Sequence, residues 1–101
     1  MNPETALDVV YEALLGSNSI PQQLRGKQGL DPRQFDQLTT ALRWLTAHYA
    51  AQPVVPKRLA LCLVDIYGAF SFREEFYPPA ELNQIEDAGL LLQDLATELL
   101  S

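Results

Sequence analysis

The stretch from Leu30 to Tyr49, LDPRQFDQLTTALRWLTAHY, decides the fold. Asp31 is a good helix cap, because its carboxylate accepts from backbone N–H groups that have no partner in the first turn. Pro32 suits the first helical position, where its missing N–H costs nothing. Gln34 completes a capping-box pattern, and Leu30 and Phe35 stand at the spacing of a hydrophobic staple. Phe35, Leu38, Leu42, Leu45 and Tyr49 then repeat at intervals of three and four, the seam of a helix packed along a neighbour. Ala41, Trp44 and His48 widen that stripe. Pro53 pushes the residue before it out of the helical region. A helix over about 32–51 follows.

Outward from this helix the pattern stays helical. On the amino-terminal side, residues 17–30 contain Pro21, Gly26 and Gly29 and read as a loop, with room for a turn of helix from Pro21 to Arg25. Ile20, Leu24 and Leu30 are expected to pin it to the core. Before it, a helix over 3–15 is capped by Asn2, opened by Pro3 and ended by a left-handed Gly16. Leu7, Val10, Tyr11 and Leu14 form its expected buried stripe, and Glu4, Asp8 and Glu12 an acidic row.

On the carboxyl-terminal side, a third helix is expected over 56–68. Everything from Leu59 to Tyr67 except Asp65 is apolar, the pattern of a central helix buried all round. A strand over 61–67 is the rival reading, but no second strand-like segment exists to pair with it. An aromatic connection over 69–78 leads to a last helix over 79–100. There Ile85, Ala88, Leu92, Leu95 and Leu99 repeat the seam spacing. Gly89 is placed to let another helix approach, and Leu90 falls on a face that is otherwise polar. The chain is therefore expected to be a single all-α domain over 1–101, a bundle of four helices. Leu38, Leu42, Leu45, Leu63, Ile66, Leu92 and Leu95 are its expected core.

Composition narrows the function. The 101 residues are 48% hydrophobic and 20% charged, and 13 acidic against 7 basic residues leave a net charge of −6. An acidic balance argues against nucleic acid or an anionic membrane as the main partner, since both need a basic footprint. The longest apolar run, Leu59 to Val64, is far short of the roughly 20 residues of a membrane helix. The amino terminus lacks the positive region of a signal peptide. Cys62 is the single cysteine, which fits a reducing compartment, and the expected location is cytoplasmic.

Catalytic chemistry finds little material. His48 and Cys62 are one histidine and one cysteine, formally a nucleophile and base. However, His48 follows Trp44 at the edge of a packed face, and Cys62 in LALCLV resembles a small buried hydrophobe. Two such ligands cannot fill a zinc site, and no carboxylate stands three or four residues from His48. Arg25-Gly26-Lys27-Gln28-Gly29 lacks P-loop spacing and the Ser/Thr after its lysine. No enzyme activity, cofactor or metal is expected.

Two surface features point instead to a protein partner. From Glu74 to Ser101 there are seven acidic residues and no basic one, whereas Arg25 to Arg58 holds six basic and two acidic. Such segregation suits an acidic docking face for a basic partner. In addition, Tyr67, Phe70, Phe72, Phe76 and Tyr77 crowd into eleven residues around Arg73, Glu74 and Glu75. Phe70 and Phe72 are expected inside, with Phe76 or Tyr77 outside as an anchor. Pro78 and Pro79 stiffen the segment, which lowers the entropy lost on binding. Asp65 is a third point of interest. The strip it shares with Arg58, Leu61 and Cys62 either faces solvent or a partner, or Asp65 pairs with Arg43 or Arg73, and a structural pair is expected.

The tetrapeptide Phe76-Tyr77-Pro78-Pro79 resembles an aromatic-proline turn in nuclease-toxin immunity proteins, and those four residues transfer no function by themselves. The expected function is a small acidic, non-enzymatic interaction module of the adaptor, immunity or antitoxin-like kind. Its partner-binding residues are Glu74, Glu75, Phe76, Tyr77, Glu81 and Leu90, and Leu90 adds an expectation of homodimerisation. The alternative is a regulatory domain that holds a small apolar ligand between helices, lined by Trp44, Tyr49 and Tyr67.

Overall fold

The computed structural model describes residues 1–101 as an all-α domain of long and short helices with no strand. In chain order these are α1 (Pro3–Leu15), α2 (Ile20–Arg25), α3 (Pro32–Tyr49), α4 (Lys57–Leu63), a 3-10 turn (Gly68–Phe70) and α5 (Pro79–Leu100). Its longest dimension is 43 Å, against 23 and 19 Å across. The helix α3 lies between α1 and α5, α4 packs against both α1 and α5, and the 3-10 turn sits on α5 and α2.

The caps that define the helix starts form as their chemistry dictates. The Asn2 side chain accepts from the Thr5 N–H at 2.8 Å, and Asp31 accepts from the N–H groups of Arg33 and Gln34 at 3.0 and 3.3 Å. Gln34 does not close the box onto Asp31. Its Nε2 donates instead to the Asn18 oxygen at 3.1 Å, and its Oε1 accepts from Gln23 Nε2 at 2.7 Å. Gln23 also donates to Asn18 at 2.8 Å, so two glutamines converge on one carbonyl and tie the 16–19 turn and α2 to α3.

The seam of α3 is buried at Leu38, Ala41, Leu42 and Leu45, and Leu63, Ile66, Leu92 and Leu95 complete the core. Three local expectations need correction. On α1 the buried line is Ala6, Val10, Ala13 and Leu14, whereas Leu7 and Tyr11 are only half-buried. The small alanines let α1 approach its neighbours, and the bulkier residues flank that contact. Gly16 is not left-handed, with φ −69° and ψ 172°. It is needed for space: a Cβ there would lie 2.6 Å from the Glu12 main-chain oxygen.

The third correction concerns α4, which ends at Leu63 and is peripheral rather than central. It buries Leu59 and Leu63 and, in the turns beyond, Ile66, while Leu61 and Val64 point outward. The last bonds tighten the chain into the 3-10 turn: Val64 N–H donates to Leu61, and Phe70 N–H to Tyr67. Asp65 is exposed, and its carboxylate lies over Gly68, where a Cβ would come within 2.5 Å of Oδ1. The expected structural pairing of Asp65 is replaced by this local contact.

Gly89 does permit close approach, but of the 3-10 turn rather than a helix. A Cβ at Gly89 would be 2.7 Å from the Cβ of Phe70, which is fully buried.

Candidate functional site

The aromatic segment 71–78 folds back over the end of the bundle, and its residues divide sharply. Tyr77 is 5% exposed. Its hydroxyl donates to the Leu24 oxygen at 2.6 Å and accepts from the Gly29 N–H at 3.3 Å. The expectation of Tyr77 as an outward anchor is thereby overturned: a phenol with both its hydrogen-bonding roles filled by buried main chain is a core residue. Phe76 is half-buried. It stacks on Phe72 at 5.0 Å between ring centroids, and the Lys27 ammonium stands 4.8 Å from its ring centre. Phe72 is likewise partly buried against the core.

The carboxylates stay outside. Glu74 and Glu75 are exposed, and Glu75 has a left-handed φ of 73°. Non-glycine residues seldom hold that conformation, which costs of order 1 kcal/mol. Together with Tyr77, Pro79, Leu82 and Asn83, these two glutamates line an open hollow of about 360 Å³ between the segment and the first turns of α5. Glu81 is half-buried and turned to the other side, with its Oε1 3.0 Å from where a Gly29 Cβ would be. Leu90 is 50% exposed, eight residues along α5 from Leu82, about 12 Å away at the helical rise. Thus Glu74, Glu75 and the edge of Tyr77 are brought together, while Glu81 and Leu90 are not.

The alternative ligand site does not assemble either. Of the three residues, Tyr67 alone lines a hollow of the surface, the one between the turn after α4 and α5, and neither Trp44 nor Tyr49 borders any. Trp44 stacks on the exposed His48 at 5.1 Å, and His48 meets Tyr49 edge-on at 4.8 Å.

The nucleophile candidates are poorly matched to that chemistry. Cys62 donates its thiol to the Leu59 oxygen at 3.1 Å, and burial pushes its pKa up to about 11. A reactive cysteine needs the opposite shift. No three His, Cys, Asp or Glu side chains gather where they could hold a metal ion, and no helix is long and apolar enough to cross a membrane.

One patch lies outside the expected partner-binding residues, although its Leu61 belongs to the Asp65 strip already noted as facing solvent or a partner. Leu61, Val64, Tyr67 and Leu100 are large apolar side chains exposed by 75, 76, 36 and 43%. Its sequence signal was the apolar run of α4 itself, which exceeds what one buried face requires. In comparisons with known proteins, no family model, no characterised protein and no solved structure matches the chain.

Proposed function

We propose that the protein is a non-enzymatic interaction module that docks a basic segment of a protein partner through the acidic hollow at Glu74 and Glu75. The observation that carries this reading is the hollow itself, where two exposed carboxylates stand over an apolar floor of Pro79 and Leu82. Such a site accepts the aliphatic stem of an arginine or lysine while its head meets carboxylate. The strained Glu75 supports it, since a non-glycine residue held at positive φ next to a cavity is a common mark of a functional position. The acidic run of α5 steers a basic partner inward. Work in a reducing compartment such as the cytoplasm accords with the unpaired Cys62.

An NMR titration with an arginine-rich peptide tests the reading. Shifts confined to residues 74–83, weakened by Glu74→Gln and Glu75→Gln, are the expected result. Shifts scattered over the whole surface, or unchanged by both substitutions, would dismiss it.

A further inference from the structure

The two most exposed large apolar side chains in the protein, Leu61 and Val64, stand three residues apart on the outer face of α4 and its following turn. Lys57 and Asp65, both exposed, lie four residues to either side of Leu61. Read along the chain, the strip is basic, apolar, apolar, acidic. Val64 and Asp65 also form one wall of a groove of about 420 Å³, whose other wall is Gln93, Thr97 and Leu100 of α5. Single exposed leucines are ordinary, but contiguous apolar surface of this kind marks an association site.

The order of charges says what covers it. A strip positive at one end and negative at the other is complementary to its own reversed copy. A two-fold axis through Leu61 sets that side chain against its counterpart and Lys57 against Asp65 of the second copy, twice over, as an isologous contact requires. The neighbouring cation does not compete, because the Arg58 guanidinium is held 4.3 Å over the Tyr11 ring.

We propose that the outer face of α4 is the interface of an antiparallel homodimer, with Leu61 and Val64 supplying the buried area and the Lys57–Asp65 pairs fixing the orientation. Charged pairs of this kind select the partner and its register more than they add affinity. The inference is independent of the acidic hollow, none of whose lining residues it uses.

Sedimentation equilibrium over a concentration series tests it. The wild-type chain is expected to dimerise. Leu61→Glu and Val64→Glu should each weaken the dimer by about tenfold or more, with unchanged helicity and, at concentrations where both chains are monomeric, an unchanged melting temperature, since both side chains are exposed in the single chain. Lys57→Glu and Asp65→Lys should each weaken self-association by like-charge contact. Mixed together, those two variants should pair with one another, because every charged contact in the mixed dimer is again attractive. A wild-type chain monomeric at all concentrations overturns the proposal. So does a dimer indifferent to Leu61→Glu and Val64→Glu, one broken only by Leu90→Glu, or a failure of the two charge variants to pair.

Discussion

The hydroxyl of Tyr77 donates to the main-chain oxygen of Leu24 at 2.6 Å, across 53 residues of sequence. That bond fastens the aromatic segment to the end of α2. The same oxygen atom of Tyr77 receives the N–H of Gly29, whose φ of 80° only glycine adopts freely. Tyr77→Phe keeps the ring and removes both bonds. It should cost about 1–3 kcal/mol in urea denaturation, the usual penalty for buried groups left unpaired. Tyr77→Ala should cost more, about 3–5 kcal/mol, as for other large core aromatics. A loss near zero for both would place Tyr77 back on the surface.

Gly89→Ala should destabilise the protein even though alanine favours helix by about 1 kcal/mol. The added methyl would sit 2.7 Å from the Phe70 Cβ, and overpacking of that kind costs about 1–3 kcal/mol. A higher melting temperature for this variant would show that the 3-10 turn yields easily.

Glu75→Gly and Glu75→Gln separate strain from charge. Glycine relieves the φ of 73° and should raise stability by up to about 1 kcal/mol. Glutamine keeps the strain and should leave stability nearly unchanged, since an exposed single charge contributes little to folding. Both should slow association with a basic peptide and flatten its salt dependence. Calorimetry and stopped-flow binding on the pair read the two effects independently.

Burial pushes the Cys62 thiol up to about 11 from its ordinary 9.0. Burial also raises Tyr11, with Cys62 adding to that shift. A raised native pKa means that the folded state holds the proton more tightly than the unfolded chain. The resulting stability is complete below about pH 9 and is lost as the pH climbs toward 11. Thiol alkylation at neutral pH should accordingly be slow, rising about tenfold per pH unit until the thiol ionises. Cys62→Ala should shallow the alkaline decline of stability. An alkylation rate typical of a free thiol at pH 7 would show that the thiol is not buried in solution.

Leu42→Ala should cost about 2–5 kcal/mol, because Leu42 is fully buried on the α3 seam. A negligible change in the denaturation midpoint would move the seam elsewhere.

The reading of α3 succeeds because four local signals, cap, proline, staple and seam, act within one helix and need no knowledge of the rest. The bounds of α1 and α5 rest on similar punctuation. The segment after Leu63 was harder, because its course depends on contacts far along the chain. Phe70 can take its place only because Gly89 leaves room, and no local pattern pairs those two. Burial of Tyr77 has the same origin: both its hydrogen-bond partners lie about fifty residues earlier, so spacing near Tyr77 cannot reveal them. The apolar run of α4 suggested burial on all sides, yet a helix of seven residues at the rim of the bundle has one inner face. What remained outside became exposed surface. Of the candidate site, the exposed carboxylates at Glu74 and Glu75 were legible from charge and prolines. Their hollow was not, since it depends on how the segment meets α5.

The order in which the ribosome delivers these elements gives α5 a further consequence. It follows α1 to α4 in the chain, and it supplies Ile85, Ala88, Leu92, Leu95, Ala96 and Leu99 to the core. Until it emerges, the inward face of α3 has no cover on that side. A nascent chain stalled before residue 79 therefore carries four helices whose shared core is still open on one side.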